Sequence, residues 1–116
     1  MVPDLSSLKN DDKLISLLKN NSGVYLLYNK VNGKCFIASA WVLKRKILDY
    51  TQPNYLKSGA HIIIARALLK YGLESFTLYI LSSVDKKNSN KDSLLKLEQQ
   101  YIDLISPKYN MPRRKK

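Results

Sequence analysis

The 116-residue chain carries 20 Lys and Arg against 9 Asp and Glu, a formal net charge of +11 with a sequence pI near 9.8. Its length suits one domain, and 45% hydrophobic residues exclude intrinsic disorder for most of it. One cysteine and one histidine exclude an intrachain disulfide and a structural zinc site.

An imbalance of this size in a small folded domain costs self-repulsion, which a polyanionic partner relieves, so nucleic acid is the leading partner class. An acidic membrane surface is the competitor, but no basic amphipathic helix with a clean apolar face supports it. No apolar run approaches the roughly 20 residues that span a bilayer. Residues 1–20 carry Asp4, Asp11 and Asp12, unlike a signal or transit peptide. The lone Cys35 suits a reducing, intracellular compartment.

In chain order, Leu5–Lys19 predicts a short helix, with Leu14, Ile15, Leu17 and Leu18 behind the caps Asp11 and Asp12. Gly23–Asn29 predicts a strand, and Asn32-Gly33 a tight hairpin whose two central residues both tolerate positive φ. Lys34–Ala40 is the returning strand. Trp41–Tyr50 is helical by spacing, with Leu43, Ile47 and Tyr50 in one stripe, and Pro53 and Gly59 bracket a loop. Ala60–Tyr71 predicts an apolar helix closed by Gly72, and Ile62-Ile63-Ile64 marks it as the central buried one. Phe76–Val84 alternates as a third strand. A charged loop at Lys86–Asn90 leads to a helix capped by Asp92 or Ser93, which runs to about Ile105 and is ended by Pro107. The whole predicts one α+β domain with a small, mostly antiparallel three-stranded sheet flanked by helices, and a basic tail over Pro112–Lys116.

Three charged residues sit oddly in this scheme. Glu98 directly follows Leu97 and stands four residues from both Leu94 and Ile102, so it lies on or beside the apolar stripe of its helix. A carboxylate at a core margin must be paired or hold a metal; a rim glutamate paired with a lysine is the plainer reading. Arg45 shares a face with Trp41 and Leu48, which suits a cleft wall that receives phosphate, although alone it reads as a solvated arginine. His61 begins an apolar helix, where backbone N–H groups favour an anion, although alone it reads as a capping or surface histidine rather than a catalytic one.

In order and spacing these residues fit a known constellation. Gly23-Val24-Tyr25, the polar turn of Asn29, Asn32, Gly33 and Lys34, and Phe36-Ile37-Ala38-Ser39 resemble the opening motifs of the GIY-YIG nuclease superfamily, particularly its intron-encoded homing endonucleases. Leu43 and Arg45 are matched to the family's Leu-x-x-Arg motif. Ala67, Leu68, Lys70, Tyr71, Gly72 and Phe76 match a further segment, as do Glu98, Gln99, Tyr101 and Ile102, and finally Pro107, Tyr109 and Asn110. The resemblance covers about residues 22–111, leaving 1–21 as a helical extension and 112–116 as the tail.

The resemblance implies that Tyr25 helps activate the attacking water or accepts its proton, that Arg45 neutralises charge on the phosphate, and that Glu98 ligates one divalent cation, Mg²⁺. It places His61 where some members carry a functional histidine. Lys34, Lys44, Lys46, Arg113, Arg114, Lys115 and Lys116 are the expected nucleic-acid contacts. Two positions depart from the family: Phe36 lacks the second tyrosine's hydroxyl, worth about 10²–10⁴-fold as an acid–base group, and Ala38 replaces a glycine. These departures favour a nucleic-acid-binding domain with impaired catalysis, held on RNA or in a ribonucleoprotein such as a mitochondrial ribosome. The alternative is an active metal-dependent endonuclease that hydrolyses DNA phosphodiesters. Its binding would be mostly electrostatic, because homing relatives carry a separate DNA-recognition region.

Overall fold

The computed structural model describes residues 4–8, 11–58 and 62–110. Strands β1 (Asn21–Asn29) and β2 (Cys35–Ala40) form the hairpin, and β3 (Phe76–Asp85) pairs with the other side of β1. The sheet is antiparallel throughout, in the order β2-β1-β3. Among the described residues the α-helices are α1 (Asp12–Leu18), α2 (Leu43–Asp49), α3 (Pro53–Lys57), α4 (Ile62–Tyr71) and α5 (Lys91–Ile105), with short 3-10 turns at Leu73–Ser75 and Lys86–Asn88. Among the described residues no helix is long and apolar enough to cross a membrane.

The central strand β1 is covered on both faces. Tyr25 and Leu27 point into a core shared with Phe36 and Ala40 of β2, Leu43, Ile47 and Tyr50 of the α2 region, and Ile64 and Leu68 of α4. Val24 and Leu26 point the other way, where Ile37 and Leu94 close a smaller cluster against Leu97, Tyr101 and Ile102 of α5. The period of two along β1 therefore divides one apolar run between two helical layers. Leu5 and Leu8, both fully buried, plug the end of the larger core, and the Leu5 N–H donates to the Phe76 carbonyl at 3.0 Å.

Several expected elements differ in ways with physical causes. The first helix begins at Asp12 rather than near Leu5, because Asp11 caps it by accepting from the Leu14 N–H at 3.0 Å. Asn32-Gly33 is not a two-residue turn. Gly33 alone of the loop takes a left-handed φ, of 76°, in a five-residue connection where its N–H donates to the Asn29 carbonyl at 2.9 Å. The segment expected to be a loop after Pro53 is the short helix α3, with proline in its first turn, where a missing N–H is harmless. α4 is amphipathic rather than wholly buried: Ile64, Ala65, Ala67 and Leu68 face the core, whereas Ile63 and Leu69 are exposed. α5 is capped by Asn90, which accepts from the Ser93 N–H, and not by Asp92 or Ser93. It ends at Ile105 as expected; Ile105 is exposed, and Ile102 packs against the smaller cluster.

The closing Pro-x-Tyr-Asn segment is structural. The Asn110 side chain accepts from the Ile37 N–H at 2.8 Å and donates to the Ile37 carbonyl at 2.7 Å, as a strand partner would. Tyr109 Oη accepts from Asn29 Nδ2 and Asn32 Nδ2, each at 3.0 Å. The polar hairpin residues thus go to fastening the free edge of β2, which an uncovered sheet would expose.

Gly23 is demanded by close approach. A Cβ there would stand 1.9 Å from the Ser82 carbonyl oxygen, beside the register shift between Val24 and Tyr25. Gly23→Ala is expected to lower the unfolding free energy by about 1–3 kcal/mol, the usual range for overpacking; a urea midpoint unchanged from the parent chain would contradict it.

Candidate active site

Strand β2 runs directly into α2, and the corner between them is fixed by Ser22, whose Oγ donates to the Trp41 carbonyl at 2.6 Å. The corner walls an open cleft of about 450 Å³, lined by Ser39, Trp41, Arg45, Lys46 and Asp49 among others. Glu98 meets the edge of this cleft at Ser39, from the opposite layer of the sheet, and is not itself one of the lining residues. α5 covers the other face of the sheet, yet the Glu98 carboxylate accepts a hydrogen bond from Ser39 Oγ at the end of β2. Alternation along β2 explains the contact, since Ile37 and Ser39 face α5 whereas Phe36, Ala38 and Ala40 face the larger core.

Arg45 lines the cleft and is exposed. Its match to the Leu-x-x-Arg motif needs a correction in spacing, because three residues beyond Leu43 stands Lys46 and not Arg45. Lys46 is half-buried, and its Nζ donates to Tyr55 Oη at 2.8 Å while lying 5.4 Å from that ring's centroid. A line of aromatic rings continues inward. Tyr55 meets Tyr50 edge-on with centroids 6.0 Å apart, and Tyr50 Oη hydrogen-bonds Tyr25 Oη at 2.8 Å.

Tyr25 therefore lies beneath the cleft floor rather than on it, with no solvent exposure. Burial pushes its phenol well above the ordinary tyrosine range, and the neighbouring Tyr50 adds to the shift. Tyr50 is raised as well, again chiefly by burial. The phenolate that a proton-accepting Tyr25 requires is thus disfavoured in this conformation. Phe36 is also buried, opposite Leu27 and two positions along from Ala38, which pairs with Tyr25.

The other expected contacts divide. Lys44 is half-buried and lines a second cleft together with Arg45, whereas Lys34 stands at the hairpin end of β2. Five residues, or roughly 17 Å of extended strand, separate Lys34 from Ser39, so the fold does not bring it to the cleft. His61, Arg113, Arg114, Lys115 and Lys116 lie outside the described residues. Tyr50 and Tyr55 escaped sequence reasoning: Tyr50 reads as one more member of an apolar stripe, and Tyr55 falls in an expected loop.

Among solved structures, the catalytic domain of the homing endonuclease I-TevI superposes with a TM-score of 0.64 at 25% identity, covering 79% of this chain and 99% of that domain. The chain is a relative of the GIY-YIG homing endonucleases. A point mutant of the I-TevI domain, 23% identical, gives the same TM-score over 82% of this chain and 97% of its own, and repeats the fold. Two Neurospora crassa proteins match in sequence: "Probable intron-encoded endonuclease bI1", 29% identical over 93% of this chain, and "Probable intron-encoded endonuclease 1", 28% identical over 85%. The chain spans 24% and 33% of their respective lengths. No family model matches.

The donor set of this GIY-YIG-like cleft suits a hard cation. Among the described residues no three His, Cys, Asp or Glu side chains gather as a closed metal cage. Oxygen ligands stand at the edge of the cleft instead, where the Glu98 carboxylate accepts from the hydroxyl of the lining residue Ser39. That set fits Mg²⁺, which is commonly held by one or two carboxylates and completes its shell with water and substrate phosphate.

The raised phenols make a pH prediction. A phenol whose folded pKa exceeds its unfolded value of about 10 contributes stability that is complete below pH 10 and is lost as pH rises further. Absorbance titration, with Tyr25→Phe and Tyr50→Phe as references, should show Tyr25 and Tyr50 still protonated above pH 10 in the folded chain and ionising only as the fold opens. Ionisation of either phenol near pH 10 in the folded chain would contradict this.

Proposed function

We propose that this domain binds DNA and hydrolyses its phosphodiester bonds with Mg²⁺ as cofactor. The observation that carries the proposal is the hydrogen bond to Glu98 from Ser39, which lines a cleft together with Lys46 and Arg45, so that Ser39 links the carboxylate of one layer to the cations of the other. Both curated relatives are named as endonucleases, which favours an enzyme over a binding-only domain.

In this reading Glu98 holds the cation, with Ser39 fixing the orientation of its carboxylate. The ion, when bound, polarises a phosphoryl oxygen and stabilises the leaving oxygen. Lys46 and Arg45 neutralise the charge that grows on the phosphate in the transition state. Tyr55 holds the Lys46 ammonium in place, and the Tyr50–Tyr25 pair supports that wall from beneath. The hydroxyl missing at Phe36 does not leave Tyr25 unpartnered, because Tyr50 supplies a phenol at 2.8 Å. That compensation favours retained activity. The complete burial of Tyr25 favours the second reading, a domain that binds without cutting.

Nicking of supercoiled plasmid separates the two. Mg²⁺-dependent nicking by the parent chain should fall about 10³-fold in Glu98→Gln, because several kcal/mol of transition-state stabilisation leave with the metal. DNA affinity measured in EDTA should stay equal or tighten, a negative charge having been removed from a basic surface. A parent chain that binds DNA but never nicks it would establish the binding-only reading instead.

A further inference from the structure

Arg45 stands on a ridge between two clefts. Beside the one containing Ser39 and Lys46 lies a second, of about 470 Å³, which shares Val42, Arg45 and Asp49 with it and adds Lys19, Lys44 and Gln52. We infer that this second cleft is a backbone-binding subsite that takes the phosphates of a DNA strand leading away from the cutting position. On this assignment one strand passes from Trp41 over Arg45 towards Lys19.

The chemistry of the lining matches a polyanion. Lys19, Lys44 and Arg45 face a single carboxylate, Asp49, and the Gln52 amide adds a neutral donor. The positions of the cations are set by the core beneath them. Leu18 is buried and Leu14 packs against the larger core, which fixes the end of α1 and thus the backbone of Lys19. Leu43 and Ile47, fully buried, fix one face of α2, which leaves Arg45 exposed and the half-buried Lys44 on the wall of the second cleft. α1 precedes the stretch that carries the family motifs, so this subsite gives the N-terminal extension a part in binding. At the far lip Trp41, the sole tryptophan, is 38% exposed, as a side chain that stacks on a base would need to be.

This inference rests on the reading of the domain as a DNA binder and does not require cleavage. The test uses the full chain in EDTA with a fluorescein-labelled DNA duplex, read by anisotropy and by quenching of Trp41. Lys19→Glu, Lys44→Glu and, as a control on the exposed side of α5, Lys96→Glu make the same change in net charge. Lys19→Gln repeats the test with a milder substitution, and thermal melts confirm folding. Loss of one phosphate contact should weaken binding about tenfold at 0.1 M salt and lower the slope of log K against log salt by about 0.9. The first two variants should show this loss and Lys96→Glu should not. Equal weakening by all three would mean a diffuse charge effect and overturn the subsite. So would tighter binding of a duplex RNA of the same sequence, which would make RNA the ligand. Absent nicking alongside the expected binding pattern would sink the nuclease reading and leave the subsite standing.

Discussion

Every feature of this molecule depends on the burial of β1 on both faces. Val24, Tyr25, Leu26 and Leu27 are consecutive and all are buried, which no antiparallel strand achieves with one face in water. The chain must therefore supply helices to both sides of a sheet of only three strands. α2 and α4 cover one face and α5 the other. In so narrow a sheet the two layers approach each other around the edge strands, and β2 is one of the two edges.

The candidate site lies where the layers meet. Ser39 is the residue of β2 that faces α5 just before the chain turns into α2, so its hydroxyl can hold Glu98 while its neighbours begin the cationic wall. At the opposite end of the same edge, Tyr109 and Asn110 do the comparable work with neutral groups, tying the hairpin loop and Ile37. One end of β2 is closed by neutral hydrogen bonds, and the other is left open and charged. The aromatic line from Tyr25 to Tyr55 joins the larger core to the open end. A change in the packing of α2 would consequently be felt at Lys46.

Much of this was legible in the sequence, and the failures have identifiable causes. The three strands could be read because period-two patterns and a glycine turn are local properties. The geometry of the turn could not, since the Asn32 side chain is engaged by Tyr109, far along the chain. α3 was hidden because proline and a nearby glycine read as loop signals, although proline at a first helical turn is compatible with either state. The isoleucine run of α4 overstated its burial: three successive residues span most of a helical turn and cannot all face one core. Glu98 was legible from its place beside an apolar stripe. Ser39 as its partner, and Tyr50 as the partner of Tyr25, were not, because each pairing joins elements that only the tertiary fold brings together. Arg45 and Lys46 are adjacent in sequence but differ by about 100° around the helix, since 3.6 residues make a turn. Only the core beneath α2 distinguishes the ridge residue from the one that joins the tyrosines.

The central claim is that Ser39 acts through Glu98, joining the two layers into one site. It is tested most directly by a double-mutant cycle on Mg²⁺-dependent DNA nicking with Ser39→Ala and Glu98→Gln. If Ser39 serves to orient that carboxylate, Ser39→Ala alone should lower the rate by about 10–100-fold, the range for a group supporting a metal ligand. The double variant should then be no slower than Glu98→Gln alone. Losses that simply multiply in the double variant would show the two residues acting independently, and would contradict the account.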